Sequence, residues 1–128
     1  EKKHVSNLAR RVISKNLLPK VVQRVNELNI LHFNFEFKRV FLKEASSMWG
    51  SCSEDHNINL NFALLFAPPD VMDSVIIHEL VHLKHQNHGV EFWQLVNQAM
   101  PYYKQKKLWP KENAHKLGVL QTTEDEID

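Results

Sequence analysis

The chain has 128 residues, 43% of them hydrophobic and 24% charged, with a formal net charge of +1. This is the size and composition of one ordinary globular domain, and no apolar run approaches the length of a membrane span. The single cysteine, Cys52, excludes an internal disulfide, and no stretch reads as a secretory signal. Together these lead to the expectation of a cytoplasmic protein in a reducing compartment.

In chain order, Val5, Leu8, Val12 and Ile13 recur at helical spacing and predict an amphipathic helix over about 5–17. Pro19 fits the first turn of a second helix carrying Val21, Val22, Val25 and Leu28. Leu31 to Lys38 alternates, with Leu31, Phe33, Phe35 and Phe37 on one face, which predicts a half-buried strand. Val40 to Leu42 extends that strand or begins another. Ser46 to Asp55, with Gly50 and several serines, reads as a loop. Ile58, Leu60 and Phe62 then alternate with Asn57, Asn59 and Asn61 as a further strand. Pro68-Pro69-Asp70 marks the start of a helix expected to run from about Asp70 to Gln86. Asn87-His88-Gly89 breaks it, and a helix with Val90, Trp93, Leu95, Val96 and Met100 comes next. Pro101 and Pro110 divide the rest, and the polar segment 120–128 reads as a disordered tail behind a single domain over 1–119.

Half of the eight histidines fall between His78 and His88. His78-Glu79-Leu80-Val81-His82 is His-Glu-x-x-His within an apolar helix. Residues four apart lie one turn apart on the same face, so both imidazoles can reach one ion at about 2.0–2.1 Å. Glu79, beside the first of them, can reach a water at the ion without binding it, as a general base does. Chance histidines on a helix are the plain alternative. The apolar flanks argue against it, because buried histidines need partners. A catalytic zinc needs a third protein ligand and an open position. His85 lies about 10 Å further along a continuous helix, too far to share the ion. His88 comes after the helix break, where Gly89 lets the chain turn back, and is the better third ligand.

These motifs resemble the YgjP-like metal-dependent hydrolases, a zincin-type metallopeptidase family related to the SprT-like and WLM proteases. The residues that carry the resemblance are Trp49-Gly50-Ser51-Cys52-Ser53, Asn57-Ile58-Asn59-Leu60-Asn61, Ala67-Pro68, His78 to Leu83, Asn87-His88 and Phe92-Trp93. The resemblance implies an α+β, zincin-like fold with N-terminal helices, a small sheet, the metal helix and a C-terminal helical segment. It also implies one zinc ion on His78, His82 and His88, Glu79 as catalytic base, and a peptide or protein substrate. Family members place Ser where this chain has Gly89, a weaker helix cap.

The remaining candidates are weaker. Trp49 to Ser53 reads as a structural turn with Trp49 on the metal helix, or as a way to bring Ser51 or Cys52 near the ion, where the Cys52 thiolate could fill the open position in a latent state. Asn57 to Asn61 reads as a plain strand, or as the sheet edge against which zincins bind extended peptides. Tyr102 or Tyr103 could serve a developing oxyanion, but packing or exposure is the usual fate of such a residue, and neither is assigned to the site. The basic stretches around Arg10 and Lys104 read as solvated faces or as phosphate contacts, with no nucleic-acid motif to favour the second. Two further functions use the same features. One is a metal-dependent nucleotide phosphoanhydride hydrolase. The other is a non-enzymatic, zinc-stabilised binding module, nucleic-acid associated, in which a residue such as Cys52 closes the coordination sphere.

Overall fold

A computed structural model describes residues 7–44 and 48–117. Among these residues are four α-helices and a three-stranded sheet. The first, α1, spans Asn7–His32 without interruption, with Pro19 inside it. Two helices are expected from sequence, because an interior proline removes a backbone hydrogen bond and crowds the preceding turn. The structure tolerates Pro19, and burial in α1 is confined to the part beyond it, at Val21, Val25, Leu28 and Asn29. Leu8 and Val12 are exposed, and Val5 lies outside the described residues.

The strand expected over Leu31 to Lys38 does not form. The helix consumes its first two residues and then ends at Asn34, whose φ of 61° is the left-handed conformation that terminates helices. Asn29 holds the segment beyond that end. Its side chain accepts from Phe35 N at 3.0 Å and donates to Phe35 O at 2.7 Å, satisfying the backbone that a neighbouring strand would otherwise pair. The alternation of Phe33, Phe35 and Phe37 therefore records an extended connection. Phe33 and Phe37 are half-buried and pack on the core.

Strand β1 is Val40–Lys43, β2 is Gly50–Cys52 and β3 is Ile58–Asn61. Their order is β1-β3-β2, with β1 parallel and β2 antiparallel to β3. The expected loop at Gly50 to Cys52 is thus a strand. Its Gly-Ser-Cys sequence has no β-branched residue, so pairing with β3 defines it, not propensity. Asn59 supports the register by donating to Ser51 Oγ across the pair at 3.1 Å. The order also decides between the two readings of Asn57 to Asn61: β3 is central, a plain strand, and β1 and β2 are the edges.

Asn61 ties the sheet to its surroundings. Its amide donates to Met48 O at 2.7 Å, and its Oδ1 accepts from Ala63 N at 2.8 Å, capping the 3-10 turn Phe62–Phe66. Helix α2, Pro69–His82, starts with proline in its first turn, where no hydrogen bond is lost. Val75, Ile76, Ile77, Leu80 and Val81 are all essentially inaccessible. The helix is buried from Ser74 to His82, which places it in the middle of the fold, and α2 touches α1, β2, β3 and both later helices. Those are α3, Val90–Ala99, and α4, Tyr103–Leu117. Arg24 of α1 grips Asp73 of α2 with two hydrogen bonds of 2.7 and 2.9 Å, which push the guanidinium pKa further up. No helix among the described residues is long and apolar enough to cross a membrane.

Asn61→Ala removes both side-chain bonds and leaves Met48 O and Ala63 N without them in a buried setting. Urea denaturation should show a loss of about 2 kcal/mol. A loss below about 0.5 kcal/mol would mean Asn61 does not hold the strand to the turn.

Candidate metal centre

The centre is built on the last turns of α2. His78 and His82 project from one face, and both are buried at 2% and 8% exposure. The helix stops at His82, four residues before the expected end at Gln86. Leu83 and Lys84 donate to Leu80 and Val81 carbonyls in a tightened last turn, and His85 N reaches Val81 O. The chain then returns so that His88 meets the two helical rings. Glycine freedom is not what turns it. Gly89 has φ −87° and ψ −169°, an extended conformation open to any residue, and a Cβ there would meet nothing within 4 Å. Gly89 is the N-cap of α3 without a side-chain bond, so a serine would fit there.

His88 Nε2 lies 3.1 Å from His82 Nε2 and 3.2 Å from His78 Nε2. The three ligand atoms lie within 4.8 Å of one another. A tetrahedral ion bound at about 2.0–2.1 Å would space its ligands by about 3.3–3.4 Å, close to the two spacings that His88 Nε2 makes. The hydrogen-bond partners on the far sides of the rings agree. His82 Nδ1 faces the His85 carbonyl at 3.0 Å. A carbonyl only accepts, so Nδ1 carries the hydrogen and Nε2 presents a lone pair inward. His78 Nδ1 faces the Tyr103 hydroxyl at 2.8 Å. With Nε2 of His78 turned toward a cation, Nδ1–H donates and the phenol oxygen accepts.

Glu79 is completely buried. Its carboxylate lies against the backbone of β2 at Gly50. A Cβ on Gly50 would fall 2.8 Å from Val75 Cγ1 and 3.0 Å from Glu79 Oε2, closer than packed side chains tolerate. Gly50 is therefore required by close approach, and this is the physical reason for glycine in the Trp49-to-Ser53 motif. Trp49, at 0% exposure, anchors that motif and meets Trp109 edge-on at 6.2 Å.

Among the described residues, the group able to hold an ion contains only the three histidines; Cys52 is outside it. Cys52 is half-buried in the wall of a neighbouring cavity of about 240 Å³ that it shares with His82. The imidazole of His85 is also outside the group and faces Glu91 at 3.8 Å. His88 is the exposed member of the three, so the centre opens to solvent on its side.

The family model for YgjP-like metallopeptidase domains matches residues 1–113. The chain belongs to the YgjP-like family. As a YgjP-like metallopeptidase domain it is an enzyme that uses a metal ion on peptide or protein substrates. Two solved structures share its fold. The metallopeptidase zymogen abylysin of Pyrococcus abyssi is 20% identical, with a TM-score of 0.69 over 78% of this chain and 99% of its own. The zymogen jannalysin of Methanocaldococcus jannaschii is 21% identical, with a TM-score of 0.59 over 73% of this chain and 95% of its own. No curated protein matches by sequence.

Tyr103 is the residue of this YgjP-like centre that sequence reasoning left unassigned. It is 1% exposed, whereas Tyr102 is 65% exposed. Val96, Met100 and Tyr103 continue an inward-facing spacing of four and three, the one signal that separates the two tyrosines. Because its hydroxyl faces the outer nitrogen of His78, it orients a ring and does not address an oxyanion.

Tyr103→Phe keeps the packing and removes the acceptor. Chelator competition should show metal affinity falling about 10-fold or more; unchanged affinity would remove Tyr103 from this role. Gly50→Ala should retain bound metal while kcat/KM on peptide falls by at least about 100-fold, because the new methyl displaces Glu79. Full activity in that variant would mean the close approach is not needed.

Proposed function

We propose that this domain hydrolyses peptide bonds with a single zinc ion held by Nε2 of His78, His82 and His88, and with Glu79 as general base. The observation that carries the reading is the inward convergence of three ring nitrogens, two of whose rings are oriented from behind by Tyr103 and the His85 carbonyl. Three neutral imidazoles suit zinc and leave the fourth position for solvent.

A divalent cation there supplies Lewis acidity toward water and toward a carbonyl oxygen. The chain's own residues do the rest. Glu79 sits between the two helical ligands in sequence and rests on Gly50, so its carboxylate has little freedom to turn away. It takes the proton of the attacking water and returns it to the leaving amine nitrogen. β2 is an outer strand of the described sheet and lies beside α2, so it offers an edge to an extended peptide. Burial of His78, His82 and Glu79 keeps bulk water from the inner half of the site. The absence of a fourth candidate ligand from the described cluster leaves a purely structural zinc without support, and nothing in the geometry favours phosphoanhydride hydrolysis. The lone cysteine fits action in the cytoplasm.

Glu79→Gln should keep zinc bound and lower kcat on a quenched fluorescent peptide by about 10²–10⁴-fold. His88→Ala should lose the zinc itself. Normal turnover in the Gln variant would take Glu79 out of the chemistry, and full zinc content in the Ala variant would take His88 out of the ligand set.

A further inference from the structure

One indole away from the three histidines is a second cavity, of about 350 Å³, lined by Trp93, Asn97, Tyr103, Lys104 and Lys107. Its size lies in the range of small-ligand sites, about 300–1,000 Å³. Two of its walls also touch the metal centre. The Trp93 ring packs 5.8 Å from His88 and 5.9 Å from His78, and Tyr103 hydrogen-bonds to His78. The lining is mostly apolar, and its charge is entirely positive.

The two cations are placed for this cavity. Lys104 and Lys107 are three residues apart on α4, hence on one face. Lys107 Nζ sits 5.8 Å from the Trp93 ring centroid. Lys106, between them, turns elsewhere: it binds Asp70 at 2.6 Å, a contact that also holds the Asp70 carboxyl below its ordinary range. Neither Lys104 nor Lys107 forms an ion pair among the described residues. The basic run of the sequence is thereby divided, one lysine spent on fold and two on the cavity. Contact with a phosphate backbone calls for a stripe of cations, and this division works against one.

We propose that this cavity is a subsite for a carboxylate of the peptide substrate, with Lys104 and Lys107 holding the carboxylate and the Trp93 face taking the aliphatic stem. The inference rests on the peptidase reading above. The carboxylate comes from an acidic side chain or from a free C-terminus, and the two are separable by experiment.

The zinc-loaded Glu79→Gln protein binds without cleaving, so affinity can be read apart from turnover. Fluorescein-labelled peptides of one neutral sequence would carry Glu or Gln at each position in turn, each as C-terminal acid and as amide. Anisotropy should find one register in which the carboxylate peptide binds about 3- to 10-fold tighter than its neutral twin, the range expected for two solvent-exposed ion pairs. Gain from Glu in the amide series identifies a side chain; gain from acid over amide identifies the terminus. Adding Lys104→Ala and Lys107→Ala should bring the ratio to about one, and Lys107→Glu should favour a lysine peptide instead. Lys20→Ala on α1 should leave the ratio as it was. The proposal fails if no carboxylate position binds tighter, or if the preference survives loss of both lysines. It also fails if lysine removal weakens a single-stranded oligonucleotide and not the acidic peptides. Failure of the wild-type enzyme to cleave any of these peptides would count against the peptidase reading alone.

Discussion

Three imidazoles can serve one cation only if each holds one unprotonated nitrogen facing inward. In water a histidine ring turns freely and exchanges tautomers, so the arrangement has to be imposed from outside the metal sphere. Here a backbone carbonyl fixes His82 and a tyrosine hydroxyl fixes His78. Both partners depend on chain segments beyond α2. The carbonyl of His85 is available because the helix stops at His82, and Tyr103 arrives only when α4 docks. The centre is therefore a property of the folded domain, not of the five-residue motif.

The rest of the architecture supports that arrangement. Helix α2 is buried from Ser74 to His82 in the middle of the domain, which gives its two histidines and Glu79 a fixed frame. Arg24 holds α1 against one side of it, and Lys106 holds α4 near its start through Asp70. On the sheet side, β2 approaches so closely that only glycine fits at position 50. Asn61 bonds backbone on both sides of the sheet end and so sets where Trp49 and Gly50 lie. A substitution at Asn61 thus acts on the site through position.

The metal helix is legible in the sequence because its signal is local. One turn of helix relates His78 to His82; His85 lies outside the group as expected, but past the end of the helix and not further along it. The alternation of Ile58 and Leu60 with asparagines is equally readable as a strand. What is illegible depends on contacts between distant residues. Nothing in Gly50-Ser51-Cys52 announces a strand; its partner β3 makes it one. Leu31 to Lys38 carries a convincing strand pattern that fails because Asn29 satisfies the backbone of Phe35 first. Pro19 is a local stop signal overridden within a long helix. The bond between His78 and Tyr103 spans 25 positions and obeys no motif spacing.

The most direct test is a crystal structure of the protein purified without added metal, with anomalous data collected on both sides of the zinc absorption edge. The account predicts one zinc peak among Nε2 of His78, His82 and His88, each at about 2.0–2.1 Å, with solvent in the remaining position. A peak bound instead through Cys52 Sγ, or three rings turned apart around no ion after zinc is supplied, would contradict it.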